Sequence, residues 1–256
     1  MTETSFPQDQ APHLQNAYAD GGVASLIGWV QGWPDDDGRR QLYSAATRTV
    51  KEVDGGSPNY DDLIRVYDAA MAEGLRQATT QSDPELVIKR TDYANAMSYN
   101  LAADLAECWP SDNGTRETRH FQRGLQAAED CIRWRTELKK GPFPFSIAHW
   151  AEGAHALSLG DTARAITAFG QSADFARQAA TANDQDPEAA FGTILGEGYQ
   201  GIAEEAAGQP AARYDSAVAR FQAQVATGEG EVKEDAQFGL DQLAAYRKNV
   251  LARLGK

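Results

Sequence analysis

The apolar residues of the chain recur mainly at intervals of three and four, which is the spacing of one face of an α-helix. The clearest case is the stretch 147–180, where one apolar face is followed by a turn and a second apolar face. The first face contains Ile147, Trp150, Ala154 and Leu157, and the second contains Ala163, Ile166, Phe169, Ala173 and Ala176. Gly160 lies between them where a left-handed residue ends a helix, and Asp161 or Thr162 can cap the next helix. The pattern predicts two antiparallel helices joined by a short turn.

The same periodicity predicts helices along the rest of the chain. The expected helices are 14–33 with a break at Gly21-Gly22, 39–53, one from Ser57 or Asn59 to Ala78, 84–108, 115–138, one from Pro187 through Ala206, one containing Ala217 and Phe221, and 231–254. Asp35–Asp37 is expected to cap the second helix, and Asp83-Pro84 and Asp186-Pro187 are typical helix starts. No run of alternating β-branched residues interrupts these segments, so the predicted fold class is all-α, built from antiparallel helix hairpins.

The hairpin at 147–182 resembles a tetratricopeptide repeat (TPR), a helix-turn-helix unit with small residues at fixed positions. Gly153, Gly160-Asp161, Ala165 and Phe169 stand at the offsets of that family. The first helix departs from the family pattern, since His149, Glu152 and Ala156 stand where the family has Trp, Leu and Tyr.

Two further stretches repeat parts of this arrangement. In 187–227 the matching residues are Gly201, Gly208, Ala217 and Phe221, and 84–138 contains a looser copy around Asn100-Leu101-Ala102. The resemblance implies a divergent TPR-like α-α superhelix. The expected organisation is a flexible arm at 1–13 and a single helical-repeat domain over 14–256, closed by a capping helix at 231–254.

The resemblance also implies a binding surface, because the first helix of each TPR hairpin lines the concave side where peptides or partner helices bind. The groove residues carried over from the family are Tyr99, Asn100, Ala103, Trp150, Ala154, Tyr199 and Ile202. We therefore expect a non-catalytic module that binds a peptide or partner protein. An alternative for Trp150 is that it simply packs between neighbouring helices. The clamp for a terminal carboxylate is not expected, because the positions where the family has its Lys and Asn are aromatic or small here.

The composition of the chain limits the kinds of partner that it is expected to bind. The chain has 256 residues, is 42% hydrophobic and carries a formal charge of -13. It should bury a core, while its negative charge disfavours nucleic acid and anionic membranes as partners. The first residues lack the features of a signal peptide, and no run of about 18 apolar residues occurs, so we expect a cytoplasmic protein without a membrane span. Cys108 and Cys131 are predicted to be buried thiols about 15 Å apart, too far for a disulfide.

The sequence contains no recognisable catalytic or cofactor motif, so no catalytic residue, metal or cofactor is predicted. His149 and His155 are six residues apart and do not share a helical face, and Glu117-x-x-His120 lacks the second copy that a di-iron bundle needs. Two alternatives stay open. One is a helical enzyme or small-ligand-binding protein with a pocket between the middle hairpins near His120, His149 or His155. The other is a homo-oligomer formed through an exposed apolar hairpin face.

Overall fold

A computed structural model of the chain describes residues 8–52, 58–110 and 114–256. Within these ranges the fold is all-α and contains no strand. A 3-10 turn at Gln8–Gln10 precedes the helices. They are α1 (Ala11–Gln31), α2 (Asp36–Lys51), α3 (Tyr60–Thr80), α4 (Pro84–Leu105), α5 (Thr118–Glu137), α6 (Pro142–Ser158), α7 (Thr162–Ala182), α8 (Phe191–Ala206), α9 (Ala212–Thr227) and α10 (Glu231–Arg253). The predicted fold class is confirmed.

The hairpin predicted at 147–182 corresponds to α6 and α7. Gly160 in the turn has a φ of +86°, and the Asp161 side chain accepts a hydrogen bond of 3.0 Å from the Arg164 N–H. Both features were expected from the sequence. The first helix begins earlier than predicted because Pro142 and Pro144 lie in its first turn, where a missing N–H costs nothing.

The amino-terminal helices begin and break at the expected polar and glycine residues. Gly21 and Gly22 have non-helical backbone angles inside α1, which confirms the predicted break. The Asp35 carboxylate caps α2 by accepting from the N–H groups of Asp37 and Gly38 at 2.9 and 3.1 Å. The arm predicted at 1–13 overlaps this region: residues 8–13 are helical, and residues 1–7 lie outside the described part of the chain.

One predicted helix start is wrong. The Asp186 side chain accepts from the Glu188 N–H at 3.0 Å, but it stabilises only an isolated turn, and α8 begins at Phe191. An Asp-Pro pair favours any turn that starts with an Asx hydrogen bond, so it does not determine whether a helix follows at once.

The contacts divide the chain into two compact units, Met1–Leu101 with Asn113–Thr115 and Ala102–Asp112 with Arg116–Lys256. In the first unit α2 packs on α1 and α3. In the second, each helix from α5 to α9 packs on the next helix in the chain. A division by contacts does not contradict one helical domain over 14–256, which stays a prediction.

Small residues let the helices of the second unit approach closely. A Cβ on Gly153 would lie 2.7 Å from the Phe169 ring, so the glycine leaves room for that side chain. In the α8–α9 pair a Cβ on Gly201 would lie 2.8 Å from the Cα of Tyr214, which means that backbone meets backbone. The spacing of small residues seen in the sequence therefore coincides with close helix contacts.

We expect Gly201→Ala to lower the free energy of unfolding by about 1–3 kcal/mol, because the added methyl overlaps backbone atoms that cannot rotate away. The matched control is Gly170→Ala in α7, where a Cβ would lie at an ordinary distance of 3.5 Å from the Gln200 side chain. That change should raise stability by about 0.5–1 kcal/mol through helix propensity alone. Urea unfolding followed by circular dichroism measures both. Equal changes in the free energy of unfolding, in the same direction for both variants, would show that α8 and α9 do not approach closely at Gly201.

Candidate functional site

The last helix, α10, carries a continuous stripe of side chains on one side. The stripe contains Gly239, Leu243, Tyr246, Val250 and Arg253, spaced by four, three, four and three residues. The first four of these are buried, together with Ala236 and Gln242, whereas residues 231–235 are exposed. This stripe therefore faces the rest of the second unit, and its contacts extend from α9 to Glu107, which follows α4 in the chain.

The first half of the stripe packs against α8 and α9. A Cβ on Gly239 would lie 2.7 Å from the Phe221 ring and 3.2 Å from the Phe191 ring, so only a residue without a side chain fits there. Leu243 lies directly over Gly198 of α8, where the missing side chain leaves the space that the leucine fills. Each helix contributes a glycine opposite a bulky residue of the other.

Tyr246 occupies the centre of the contact. Its ring centroid lies 4.8 Å from that of Tyr199 and 6.4 Å from that of Phe169. Its hydroxyl donates a hydrogen bond of 2.9 Å to the Ala154 carbonyl oxygen of α6. Burial raises the pKa of Tyr246 and of Tyr199 well above the usual range of a phenol. Tyr246 therefore links α10 to both α6 and α8.

The carboxyl-terminal end of α10 is held by a charged pair. The Arg253 guanidinium donates to both carboxylate oxygens of Glu107, with distances from 2.6 to 3.2 Å. Glu107 is only 6% exposed and also accepts 2.8 Å from the Ser158 hydroxyl. Asn249 adds a hydrogen bond of 2.9 Å to the Glu107 carbonyl oxygen. We call the surface formed by Glu107, Ala154, Ser158, Gly198 and Tyr199 the α10-binding surface.

The structure places the predicted groove residues in two settings. Ala103, Trp150, Ala154, Tyr199 and Ile202 are buried in the second unit. Ala154 and Tyr199 contact α10 directly. Tyr99, which is half-buried, and Asn100, which is exposed, belong to the first unit. Binding of a partner by these residues stays a prediction, and on the second unit α10 already covers part of the expected groove.

Trp150 lies beneath this surface. Its ring packs edge-on against Tyr199 at 5.9 Å and against Trp109 at 6.1 Å. It is 7% exposed, so in this conformation it packs between neighbouring elements, as in the alternative considered for it from the sequence.

The sequence interpretation missed Glu107 and the position of α10. It assigned 231–254 to a terminal cap, without a contact to Glu107 in the segment after α4. Arg253 and Glu107 are 146 residues apart, and neither belongs to a local motif. The only sequence indication was the Arg at the end of an apolar stripe, and that pattern does not identify its acidic partner.

The three histidines of the alternative site take part in separate sets of contacts. His120 Nδ1 accepts 3.0 Å from the Glu117 N–H and helps to cap α5. His149 stacks on Phe175 at 5.5 Å. His155 Nε2 donates 2.8 Å to the Ala102 carbonyl oxygen, and burial lowers the pKa of this imidazole to about 4. In the ranges that the structure describes, no three His, Cys, Asp or Glu side chains are placed to hold a metal ion.

Both cysteines are buried thiols outside any disulfide, as predicted. Burial raises the pKa of the Cys108 thiol to about 11, and the Gln242 side-chain amide of α10 donates to its sulfur at 3.5 Å. Among the described helices, none is both long and apolar enough to cross a bilayer.

Comparisons of the chain with protein-family models, with curated proteins and with solved structures gave no match. The resemblance to TPR proteins therefore remains a prediction that depends on the residues quoted above, and the contacts of the α10-binding surface are the basis for a functional proposal.

Proposed function

We propose that the chain is a non-catalytic, TPR-like protein-interaction module whose second unit binds a helix of a partner protein on the α10-binding surface. The observation that supports this most strongly is that the surface already accommodates a helix, the chain's own α10. Packing the apolar face of an amphipathic helix into a groove between other helices is a common mode of peptide recognition.

The chemistry of the surface suits such a partner. Its centre is apolar and aromatic, with Tyr199 packed on Trp150 and Phe169, and aromatic residues commonly dominate binding energy at interfaces. Glu107 lies at one end, and Glu205 of α8 pairs with Arg247 of α10 at 2.6 and 2.7 Å. A partner helix with an apolar stripe and one or two arginines near its carboxyl-terminal end would find the same contacts.

Affinity capture from the native cell extract tests this proposal. Arg253→Ala removes the charged group that holds α10 but leaves the surface unchanged, so we expect about tenfold more partner to be retained than with the natural chain. Adding Gly198→Leu to that variant places a side chain where Leu243 packs, and it should return capture to the natural level or below. Arg133→Ala is the matched control, because Arg133 lies on α5 and contacts Asp130, Trp134 and Glu137 of the same helix.

Circular dichroism must show that all variants stay helical. A partner retained equally by every variant would bind elsewhere and contradict the proposal. So would the absence of any protein whose capture depends on both Arg253 and Gly198.

A further inference from the structure

Several polar atoms are buried where α10 meets the rest of the second unit, and they have no hydrogen-bond partner among the described residues. They are Trp150 Nε1, the Tyr199 hydroxyl and Gln242 Oε1. The Tyr199 hydroxyl lies close to Trp150 and Cys108, but neither contact has hydrogen-bond geometry. A buried polar atom without a hydrogen-bond partner loses its hydration without compensation. The free energy of packing α10 is therefore less favourable than for an apolar contact, and water would hydrate these atoms if α10 separated from the unit.

Gln242 is an unusual buried residue of α10 that lies beside the stripe. It is buried between Gly239 and Tyr246, and its only described hydrogen bond is the long one to the Cys108 sulfur, a weak acceptor. An aliphatic side chain would pack there without an unpaired oxygen. A buried polar residue at such a position weakens a helix interface.

The connection to α10 is short and local. Three residues, 228–230, join α9 to α10, and Gly230 has a φ of 55° that favours glycine. The first turn and a half of α10 is exposed, including Val232, which is 54% exposed. Separation of α10 therefore requires a change of backbone angles only in this linker, together with loss of the contacts made by residues from Ala236 to Lys256.

We infer that α10 is a releasable intramolecular occupant, and that the α10-binding surface recognises a partner helix with the pattern of Gly239, Leu243, Tyr246, Val250 and Arg253. This inference rests on the proposed function and specifies its ligand. The small residue fits Phe191 and Phe221, the leucine fills the space over Gly198, the tyrosine donates to Ala154, and the arginine pairs with Glu107. A competing helix binds when it offers this stripe without the unpaired amide oxygen of Gln242.

Hydrogen exchange of the full chain in dilute denaturant tests the release. If α10 opens by itself, its amides should be about 100-fold less protected than those of the buried helix α6. Arg253→Ala should lower α10 protection by about another tenfold and leave α6 unchanged, while Arg133→Ala leaves both unchanged. Equal protection of α10 and α6 in the natural chain would overturn the inference, because α10 would then leave only on global unfolding.

A labelled peptide of residues 231–256 tests the recognition. It should bind the full-length Arg253→Ala chain about tenfold more tightly than the natural chain, since its own Arg253 pairs with the vacated Glu107. Peptides with Tyr246→Ala or Arg253→Ala should bind at least about tenfold more weakly than the unchanged peptide. A Gln242→Leu peptide should bind more tightly than the unchanged peptide.

Absence of peptide binding, or binding that ignores Tyr246 and Arg253, would overturn the inference. The proposed function is judged separately. Capture that depends on Arg253 and Gly198 would support it even if the α10 peptide failed to bind, because the partner would then present a different pattern.

Discussion

Tyr246→Ala is expected to lower the free energy of unfolding by about 3–5 kcal/mol, the usual cost of removing a buried aromatic side chain. The ring is fully buried, lies against Tyr199 and Phe169, and carries the hydroxyl that bonds to Ala154. Alanine would leave a cavity between three helices that are themselves tightly packed. Urea unfolding followed by circular dichroism at 222 nm gives the change.

Tyr246→Phe is the matched control for this loss. It keeps the ring and removes only the hydroxyl, so we expect a decrease of about 0.5–1.5 kcal/mol. The difference in the free energy of unfolding between the two variants measures how much the packing of the ring contributes to stability. If alanine and phenylalanine cost the same, the ring is not enclosed by α6, α7 and α8, and α10 does not lie where the structure places it.

The second large expected effect is a loss of stability at acidic pH. The pKa of His155 is lowered to about 4 in the folded chain because the imidazole is fully buried and accommodated beside Gly124. An unfolded histidine has a pKa near 6.5, so between these two values the unfolded chain binds a proton that the folded chain does not. The contribution of His155 to the free energy of unfolding is therefore fully present above about pH 6.5. It decreases as the pH is lowered to about 4 and is constant at lower pH. The loss should reach about 3 kcal/mol.

His155→Gln isolates this contribution. A glutamine amide can still donate to the Ala102 carbonyl oxygen but does not titrate, so the variant should lose less stability than the natural chain over the same pH range. Urea midpoints measured from pH 7 to pH 4 for both proteins give the difference. Parallel curves would mean that His155 is protonated in the folded chain or is accessible to solvent.

The parts of the fold that could be predicted from sequence are those that depend on neighbouring residues. The turn at Gly160-Asp161 and the cap at Asp35 each need only a glycine or carboxylate next to a free helix end. Asp186-Pro187 shows the limit of such reasoning, because the same local chemistry stabilised a turn in place of the expected first turn of α8.

The arrangement at the α10-binding surface depends on distant residues and could not be predicted in the same way. The sequence places Trp150 on an apolar face, and the TPR resemblance places Tyr199 in a groove. Neither assignment reveals whether the residue meets a partner or a helix of its own chain. The contact of Arg253 with Glu107 joins two residues whose local sequences contain no common motif. Only the three-dimensional structure identifies α10 as the helix that covers this face.

The central claim is that α10 packs across α6 and α8 and that its Arg253 pairs with Glu107, which follows α4 in the chain. A double-mutant cycle with Glu107→Gln, Arg253→Gln and the combined variant tests it most directly by urea unfolding. We predict that the single changes do not add and that the coupling free energy between the two side chains is at least about 1 kcal/mol. The claim would be contradicted if the change in the free energy of unfolding of the combined variant equalled the sum of the two single changes.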